Sequence, residues 1–313
     1  MSFASETKNE LARIMPEKKC CQLAEIAGFM RIAGSIRLAG GGKFRIVMTT
    51  NNPAVARHYK TLIKEYFSID TDLSMGQDTS LKRGHAYILT IGPENLSEAI
   101  LRETGILMIK EGMNFISDGI YDGLIRTKCC RKAYLRGAFL AAGTVNNPEK
   151  EYHFEISTGT EILAKEVRRL FNSFVDINGK IVTRKKGYGV YLKTGDQIKD
   201  MLALMGASNQ FFKFDQTMMV KDLKAQTYRI NNFDNANIDK AIRAAEAQIS
   251  AIKKIQEKKG LDFLTPKLRE AAEARLEHPE VGLEELGQLM EPALSKSGIN
   301  NRLRRIEEIA KGL

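Results

Sequence analysis

The chain has 313 residues, and its 48 Lys and Arg exceed its 38 Asp and Glu, which gives a formal net charge of +10. A hydrophobic fraction of 43% and a charged fraction of 27% are ordinary globular values, and they exclude a disordered or fibrous chain. No stretch approaches the roughly 18 apolar residues of a membrane span, and the first residues show no signal-peptide core. The length predicts about two domains, and the charge favours a polyanionic partner, nucleic acid before an anionic membrane surface.

The sequence repeats itself after 109 residues, the distance from Cys20 to Cys129. The same shift superimposes further identical residues in one order. They are Cys21 on Cys130, Gly28 on Gly137, Gly34 on Gly143 and Thr49 on Thr158. So many coincidences predict two copies of one unit, at about 20–92 and 129–195.

Each copy has the pattern of an α-β-β-α-β-β unit. In the first copy, helical spacing of apolar residues runs from Leu23 to Gly34, and strands follow at 35–39 and 44–50. A second helix at 53–66 precedes strands at 71–75 and 85–91. This order predicts an α+β fold, a duplicated pseudo-dimer in which each antiparallel four-stranded sheet has helices on one face. The other face must be solvated or bind a partner.

Small residues line one face of the first helix in each copy. A glycine within a helix costs about 1 kcal/mol relative to alanine, so it needs a compensating reason. Close approach of the two helices across a pseudo-twofold axis is that reason. The residues predicted to pack there are Gly28, Gly34, Gly137 and Gly143.

These helices resemble the paired motifs of the LAGLIDADG homing endonucleases, in which two such helices join two DNA-gripping saddles. The resemblance implies a Mg²⁺-binding carboxylate at the end of each motif helix. The matching residues here are Ala33 and Ala142, whose methyl groups cannot ligate a cation. We therefore expect no enzyme activity, no catalytic residue, no metal and no cofactor. A metal-dependent endonuclease that recruits another carboxylate remains the less favoured alternative.

The pattern changes after Tyr228. Residues 231–237 are rich in turn formers, and an amphipathic helix with Ile238, Ile242 and Ile249 on one face follows. We predict a linker and helix at 229–260. Docking on a neighbouring domain is favoured over an intermolecular coiled coil, because few heptads are available.

Residues 261–313 are predicted to form an all-α helix-turn-helix domain. Thr265-Pro266 opens one helix, a short helix covers 283–290, and a last helix covers 295–311. This trihelical segment resembles the promoter-reading domain of sigma factors. The first half of the last helix is rich in cations and amides, which suit phosphates and base edges. The predicted DNA-binding residues are Ser295, Lys296, Ser297, Asn300, Asn301, Arg302, Arg304 and Arg305. A helical docking domain with a solvated basic face is the alternative.

The positive charge lies outside this last domain. Residues 259–313 contain nine Lys and Arg and ten Asp and Glu, so residues 1–258 contain 39 and 28. The duplicated domain is therefore expected to attract phosphate as well. Secondary DNA-binding candidates are Lys82, Arg83, Arg184, Lys185 and Lys186 in the second hairpins. Lysines that merely guard a sheet edge are an equal alternative for each patch.

The two cysteine pairs precede the motif helices symmetrically, so four thiols could converge on the pseudodyad. Zinc ligands are usually spaced C-x₂₋₄-C, which adjacent cysteines cannot mimic easily. Buried structural thiols are the favoured interpretation, with a metal site or a redox switch as alternatives.

The whole chain is similar to the WhiA family. The similarity rests on residues 130–143 with 152–156, on 2–8, on 232–237 and on 294–304. It implies a bacterial, sequence-specific DNA-binding regulator tied to sporulation transcription in some bacteria and to cell division and chromosome segregation in others. The domains would be 1–228, 229–260 and 261–313.

The partner implied by this resemblance is double-stranded DNA, joined by transcription or cell-division proteins. The expected location is the cytoplasm, on the nucleoid. A protein–protein adaptor with incidental DNA affinity is the alternative. The sequence leaves open the oligomeric state, the DNA site and whether the saddle grips DNA or a protein.

Overall fold

The computed structural model of the chain describes residues 1–78 and 84–313. It divides into two compact units, Met1–Lys221 and Asp222–Leu313. Within the described residues, no helix combines the length and the apolarity needed to cross a membrane.

The first copy of the repeat is an antiparallel sheet with helices on one face. Its strands lie in the order β1-β2-β4-β3, as the predicted hairpins require. Asn52 caps the second helix of the copy, and Pro53 occupies its first turn. The elements are α1 (Phe3–Leu11), α2 (Lys19–Ala33), β1 (Gly34–Leu38), β2 (Phe44–Thr50), α3 (Pro53–Phe67), β3 (Asp72–Asp78) and β4 (Gly84–Ile91).

A short connection joins the two copies. It was not predicted from the sequence, because its elements are brief and lie outside the repeat. It contains the helix α4 (Ser97–Glu103) and the strands β5 (Leu107–Lys110) and β6 (Met113–Ile116). The two strands pair with each other in a separate two-stranded sheet.

The second copy repeats the topology of the first. Its sheet has the order β7-β8-β10-β9, so the predicted α+β fold with a duplicated α-β-β-α-β-β unit is confirmed. The elements are α5 (Lys128–Ala142), β7 (Gly143–Val145), β8 (Phe154–Thr158), α6 (Glu161–Phe171), β9 (Lys180–Arg184), β10 (Gly187–Leu192) and α7 (Gly195–Met205).

The core of this unit lies between the helices and the inner faces of the sheets. Phe29 of α2 stacks on Tyr59 of α3 with ring centroids 3.7 Å apart. In the second copy, Phe139 of α5 stacks on Phe154 of β8 at 5.1 Å. Both motif helices are therefore held to their own copy by an aromatic pair as well as by aliphatic packing.

The predicted turn at 231–237 is wrong, because α8 (Ser208–Lys259) runs through it without a break. Asparagine costs only a few tenths of a kcal/mol within a helix that is already nucleated, and strong helix formers flank this segment. The predicted apolar stripe is also only partly covered. Ile238 is 56% and Ile242 52% exposed, whereas Ile252 and Ile255 are fully buried.

The second unit is a small helical bundle around the C-terminal end of α8. Ile252 and Ile255 of that helix join a core with Leu286, Ile299 and Leu303. Its further elements are α9 (Pro266–Glu277), α10 (Leu283–Gln288) and α11 (Lys296–Lys311). One face of α11 packs into this core, since Ile299, Leu303, Ile306 and Ala310 are its buried residues.

Candidate nucleic-acid interface

The two motif helices, α2 and α5, touch backbone to backbone at two glycines. A Cβ on Gly28 would lie 2.3 Å from the carbonyl oxygen of Tyr134, and a Cβ on Gly137 would lie 2.2 Å from that of Glu25. Neither distance can be accommodated, because both obstacles are main-chain atoms of the other helix. These glycines allow the helices to cross at a separation that any side chain would prevent.

The other two glycines of the motif do not lie at the crossing, so that part of the prediction is wrong. A Cβ on Gly34 would meet the Met30 carbonyl of its own helix, and one on Gly143 would meet Phe139 of its own helix. Both residues have extended backbone angles and end their helices. They are small because the chain turns sharply there from helix into strand.

A buried ionic cluster fixes the crossing beside the glycines. Glu25 of α2 accepts from Nε of Arg136 at 2.9 Å, and Nη2 of the same arginine donates to the same carboxylate oxygen. His58 of α3 donates from Nε2 to the other Glu25 oxygen at 2.9 Å. Arg136 also donates to the carbonyl of Met205 at 3.2 Å. The sequence offered only one signal for this cluster, charged residues on faces otherwise made of small and apolar residues.

The motif helices end at Ala33 and Ala142, the positions where the resemblance to the homing endonucleases implies acidic residues. Each alanine is half-buried and is followed by the glycine that begins the first strand of its sheet. The next residues in the two strands, Ser35 and Thr144, supply hydroxyls and no carboxylate. A hydroxyl or a methyl group is a poor substitute for a charged oxygen ligand on Mg²⁺.

The first sheet presents two arginines on the face opposite its helices, a feature that the sequence analysis missed. Arg37 of β1 lies directly across from Arg45 of β2 in the strand register. Both are exposed, and within the described residues neither guanidinium has an ion-pair partner. Like charges placed opposite one another destabilise a sheet, so this pair favours an anion on that face. Period-two alternation along the hairpin was the available signal.

On the second sheet, Arg184 is already engaged. Its Nε donates to Glu155 Oε1 at 3.3 Å and its Nη2 donates to Oε2, which His153 also contacts at 3.1 Å. Burial would raise the pKa of Glu155, but the hydrogen bonds from Arg184 and His153 outweigh it and hold that pKa below its ordinary value. Half of the Arg184 side chain remains exposed, yet its charge is largely compensated.

The remaining secondary candidates divide into two groups. Lys185 and Lys186 are exposed in the turn between β9 and β10 and are available to phosphate. Lys82 and Arg83 lie outside the described residues.

The N-terminal half of α11 exposes most of the predicted DNA-binding residues. Ser295 caps the helix by accepting from the Gly298 amide at 3.2 Å, so its hydroxyl is in structural use. Asn300 is half-buried. With Ser295, the exposed members of the predicted set are Lys296, Ser297, Asn301, Arg304 and Arg305.

Arg302 has a different role from the one predicted. Its side chain is only 17% exposed, and it pairs with Glu270 of α9 at 3.0 Å. The same Nη1 donates to the Lys267 carbonyl at 3.2 Å. Arg302 therefore fastens α11 to α9 and is not free for base readout, a pairing between distant residues that spacing alone cannot show.

The four cysteines come together at the N-terminal ends of α2 and α5. Their Sγ atoms all lie within 4.8 Å of one another, and no disulfide joins them. The predicted burial holds for Cys21 and Cys130 but is wrong for Cys20, which is exposed, and for Cys129, which is partly exposed. A hydrogen bond from Thr127 lowers the pKa of Cys129 to about 7, whereas burial raises the pKa of Cys21.

Comparison with known proteins covers the whole chain. Three domain families match: the WhiA N-terminal LAGLIDADG-like domain at residues 19–107, the WhiA LAGLIDADG-like domain at 131–224 and the WhiA C-terminal HTH domain at 228–310. The chain is 41% identical over 313 residues to a probable cell division protein WhiA of Thermoanaerobacter pseudethanolicus, covering 100% of this chain and 98% of the relative. The corresponding protein of Clostridium novyi is 38% identical, with coverage of 100% and 98%.

Solved structures show the same fold. Full-length DUF199/WhiA from Thermatoga maritima superimposes with a TM-score of 0.60 at 24% identity, covering 100% of this chain and 99% of that one. The N-terminal LAGLIDADG domain of DUF199/WhiA gives a TM-score of 0.52 at 21% identity, covering 66% and 90%. With a relative of this identity along its full length and matching domains in this order, the chain belongs to the WhiA family.

Proposed function

We propose that this protein is a sequence-specific regulator that binds double-stranded DNA through its helix-turn-helix domain. The observation that carries the proposal is the first half of α11. Residues 295–306 contain four cations and no anion, and Lys296, Asn301, Arg304 and Arg305 point outward from a helix whose other face is buried. In a helix-turn-helix motif the second helix lies in the major groove, and here that helix is α11. Amide and guanidinium groups at its N-terminal end suit base edges and the flanking phosphates.

The LAGLIDADG-like unit acts in this proposal as a DNA-facing scaffold without nuclease activity. Ala33 and Ala142 stand at the ends of the motif helices, so the scaffold keeps the shape and lacks the acids. Arg37, Arg45, Lys185 and Lys186 supply positive charge on and beside the open sheet faces. Such contacts add affinity that is independent of sequence and sensitive to salt.

In the cell, the proposed role is the regulation of transcription, of the sporulation type in spore-forming bacteria, together with cell division and chromosome segregation. The relatives named as probable cell division proteins support the link to division. The proposed location is the cytoplasm, on the nucleoid.

Binding to a recovered sequence tests the proposal. Genome-wide immunoprecipitation should enrich one motif, and purified protein should prefer it over random DNA. The double variant Asn301→Ala/Arg304→Ala should lose that preference, whereas Lys311→Ala, at the exposed far end of α11, should keep it. Enrichment of no motif, together with unchanged binding by the double variant, would contradict base readout by this helix.

Supercoiled plasmid with Mg²⁺ or Mn²⁺ tests the absence of nuclease activity. We expect no protein-dependent nicking. Nicking that is abolished when one Asp or Glu of the chain is replaced would instead establish an endonuclease.

A protein–protein adaptor in cell division or transcription is the second candidate. The β5–β6 hairpin favours it, because four large apolar side chains of these two short strands are exposed together: Ile109, Met113, Phe115 and Ile116. Affinity capture with and without nuclease treatment separates the two candidates. Partners that persist after the DNA is digested support the adaptor.

A further inference from the structure

The four cysteines bring four thiol groups together from two helices. Zinc bound at about 2.3 Å by four thiolates holds its sulfur atoms about 3.8 Å apart. The four Sγ atoms here all lie within 4.8 Å of one another, so a shift of well under 1 Å per sulfur closes the site. An iron–sulfur cluster needs wider spacing, because its thiolates ligate separate iron atoms.

The sequence analysis allowed the four thiols to converge but disfavoured a metal site, because adjacent cysteines lack the usual spacing of zinc ligands. The usual C-x₂₋₄-C spacing lets one loop supply two ligands. Here Cys20 and Cys21 come from the first turn of α2, and Cys129 and Cys130 come from the first turn of α5. The pseudo-twofold axis places one pair against the other, so each copy of the repeat supplies two of the four ligands.

Burial raises the pKa of Cys21 and Cys130, and three features of the surroundings would stabilise thiolates on a bound cation. The first turn of a helix carries partial positive charge that stabilises an anion. Thr127 Oγ1 lies 3.2 Å from Cys129 Sγ. A Zn²⁺ ion with four thiolates has a net charge of −2, and the residues next to the cysteines in sequence are cationic. They are Lys18, Lys19, Lys128, Arg131 and Lys132.

We propose that Cys20, Cys21, Cys129 and Cys130 bind one Zn²⁺ ion that clamps the two motif helices together at their N-terminal ends. The ion would lie two helical turns from the glycine crossing, about 10 Å along each helix. The four thiolates fill the tetrahedral coordination of Zn²⁺, so the site is structural and leaves no position for water or substrate. This inference is independent of the proposed DNA binding.

Cobalt is the direct probe, because tetrahedral thiolate coordination gives Co²⁺ strong visible absorption and a near-ultraviolet charge-transfer band. The full chain, reduced and stripped of metal, should develop both bands on titration and saturate at one equivalent. Zinc added afterwards should displace cobalt and erase the bands. Absence of both bands in a chain whose four thiols are all reduced would overturn the proposal.

The second measurement is metal content in variants. The chain purified without chelators should contain one zinc per molecule, and Cys20→Ser/Cys129→Ser should contain none. These two cysteines are the more exposed pair, so their replacement disturbs packing least. His85→Ala, which removes an exposed potential ligand on β4, is the matched control and should retain the zinc. Equal zinc in the double variant and the native chain would refute binding by the thiols.

Thermal unfolding distinguishes a bound clamp from loose surface binding. Zinc should raise the Tm of the metal-free native chain and leave the Tm of the double variant unchanged, since only the native state presents the assembled ligands. It should also protect all four thiols from alkylation. Thiols that react equally fast with and without zinc would contradict the assignment.

Discussion

Glu25 and Arg136 meet at the crossing of the two motif helices, with Nε of the arginine 2.9 Å from a carboxylate oxygen. Both residues are at least nine-tenths buried, and each comes from a different copy of the repeat. Backbones can approach there because Gly28 and Gly137 have no side chains, and the ion pair then occupies the adjoining space. The contact at the glycines and the buried ion pair therefore depend on the same close approach of the two helices.

Removal of one partner of this ion pair should be costly. We expect Glu25→Ala to lower the free energy of unfolding by about 3–5 kcal/mol, because Arg136 would remain buried without its counter-charge. Urea unfolding of the full chain measures it. Glu98→Ala, which breaks the exposed pair with Arg102, is the control and should cost no more than about 1 kcal/mol. Equal losses in the two variants would mean that the buried pair is solvated.

The crossing glycines should not tolerate even one methyl group. We expect Gly137→Ala to destabilise the chain by about 1–3 kcal/mol or more, since its Cβ would strike the Glu25 carbonyl. Gly159→Ala, where a Cβ would meet no atom within 4 Å, is the matched control. Thermal unfolding of the two variants side by side gives the comparison. A normal Tm for Gly137→Ala would show that the helices separate easily.

Arg302 and Asn301 should respond differently although they are neighbours. Asn301→Ala should weaken the specific site by about 1–3 kcal/mol if it makes a bidentate base contact, with no change in Tm. Arg302→Met should lower the Tm because it releases α11 from Glu270. It should also weaken binding to the specific site and to random DNA by similar factors. Binding isotherms and melting curves for both variants test this. If Arg302→Met loses affinity only for the specific site and keeps its Tm, Arg302 reads bases.

Glu155 should make stability depend on acid pH. Its pKa is lowered in the folded state by Arg184 and His153, so its contribution is present above the ordinary glutamate value of about 4.3 and is lost as the pH falls through the lowered pKa. The stability difference between the native chain and Glu155→Gln should therefore shrink below that value. Denaturation curves between neutral pH and pH of about 3 measure it. A difference that stays constant over this range would exclude Glu155 as the titrating group.

The lysines of the β9–β10 turn should affect DNA binding through salt. We expect Lys185→Ala/Lys186→Ala to weaken all sequences alike and to make the salt slope shallower by about 0.9 per lost phosphate contact. Lys165→Ala, on α6 and paired with Glu161, is the control and should leave the slope unchanged. If the turn only protects a sheet edge, the slope of the double variant will equal that of the native chain.

Elements whose signal is local could be predicted from the sequence. The strands expected at 35–39 and 44–50 and the helix expected at 53–66 reflect interactions within a few residues, and they closely match β1, β2 and α3. The turn expected at 231–237 failed for the opposite reason. Its asparagines favour turns individually, but the helix on either side extends through them.

Features that depend on distant pairs could not be predicted. The residues Glu25 and Arg136 are 111 positions apart, and Arg302 finds Glu270 across 32 positions. The convergence of the cysteines was anticipated from the pseudosymmetry, but their exposure and separation needed coordinates. The repeat indicates which residues are equivalent, and it does not indicate what lies across the axis from them.

The ion pair at the crossing also makes the two copies mutually dependent. Under the shift that relates the copies, Glu25 corresponds to Tyr134 and Arg136 corresponds to Ala27. A symmetric dimer of the first copy alone would therefore bury two carboxylates against alanine, and a dimer of the second would bury two guanidinium groups against tyrosine. The first association would leave each Glu25 with His58 and without the arginine, and the second would leave each Arg136 without a carboxylate. The pair of Glu25 and Arg136 therefore forms only when the first copy meets the second, and the tandem chain supplies both copies in one molecule.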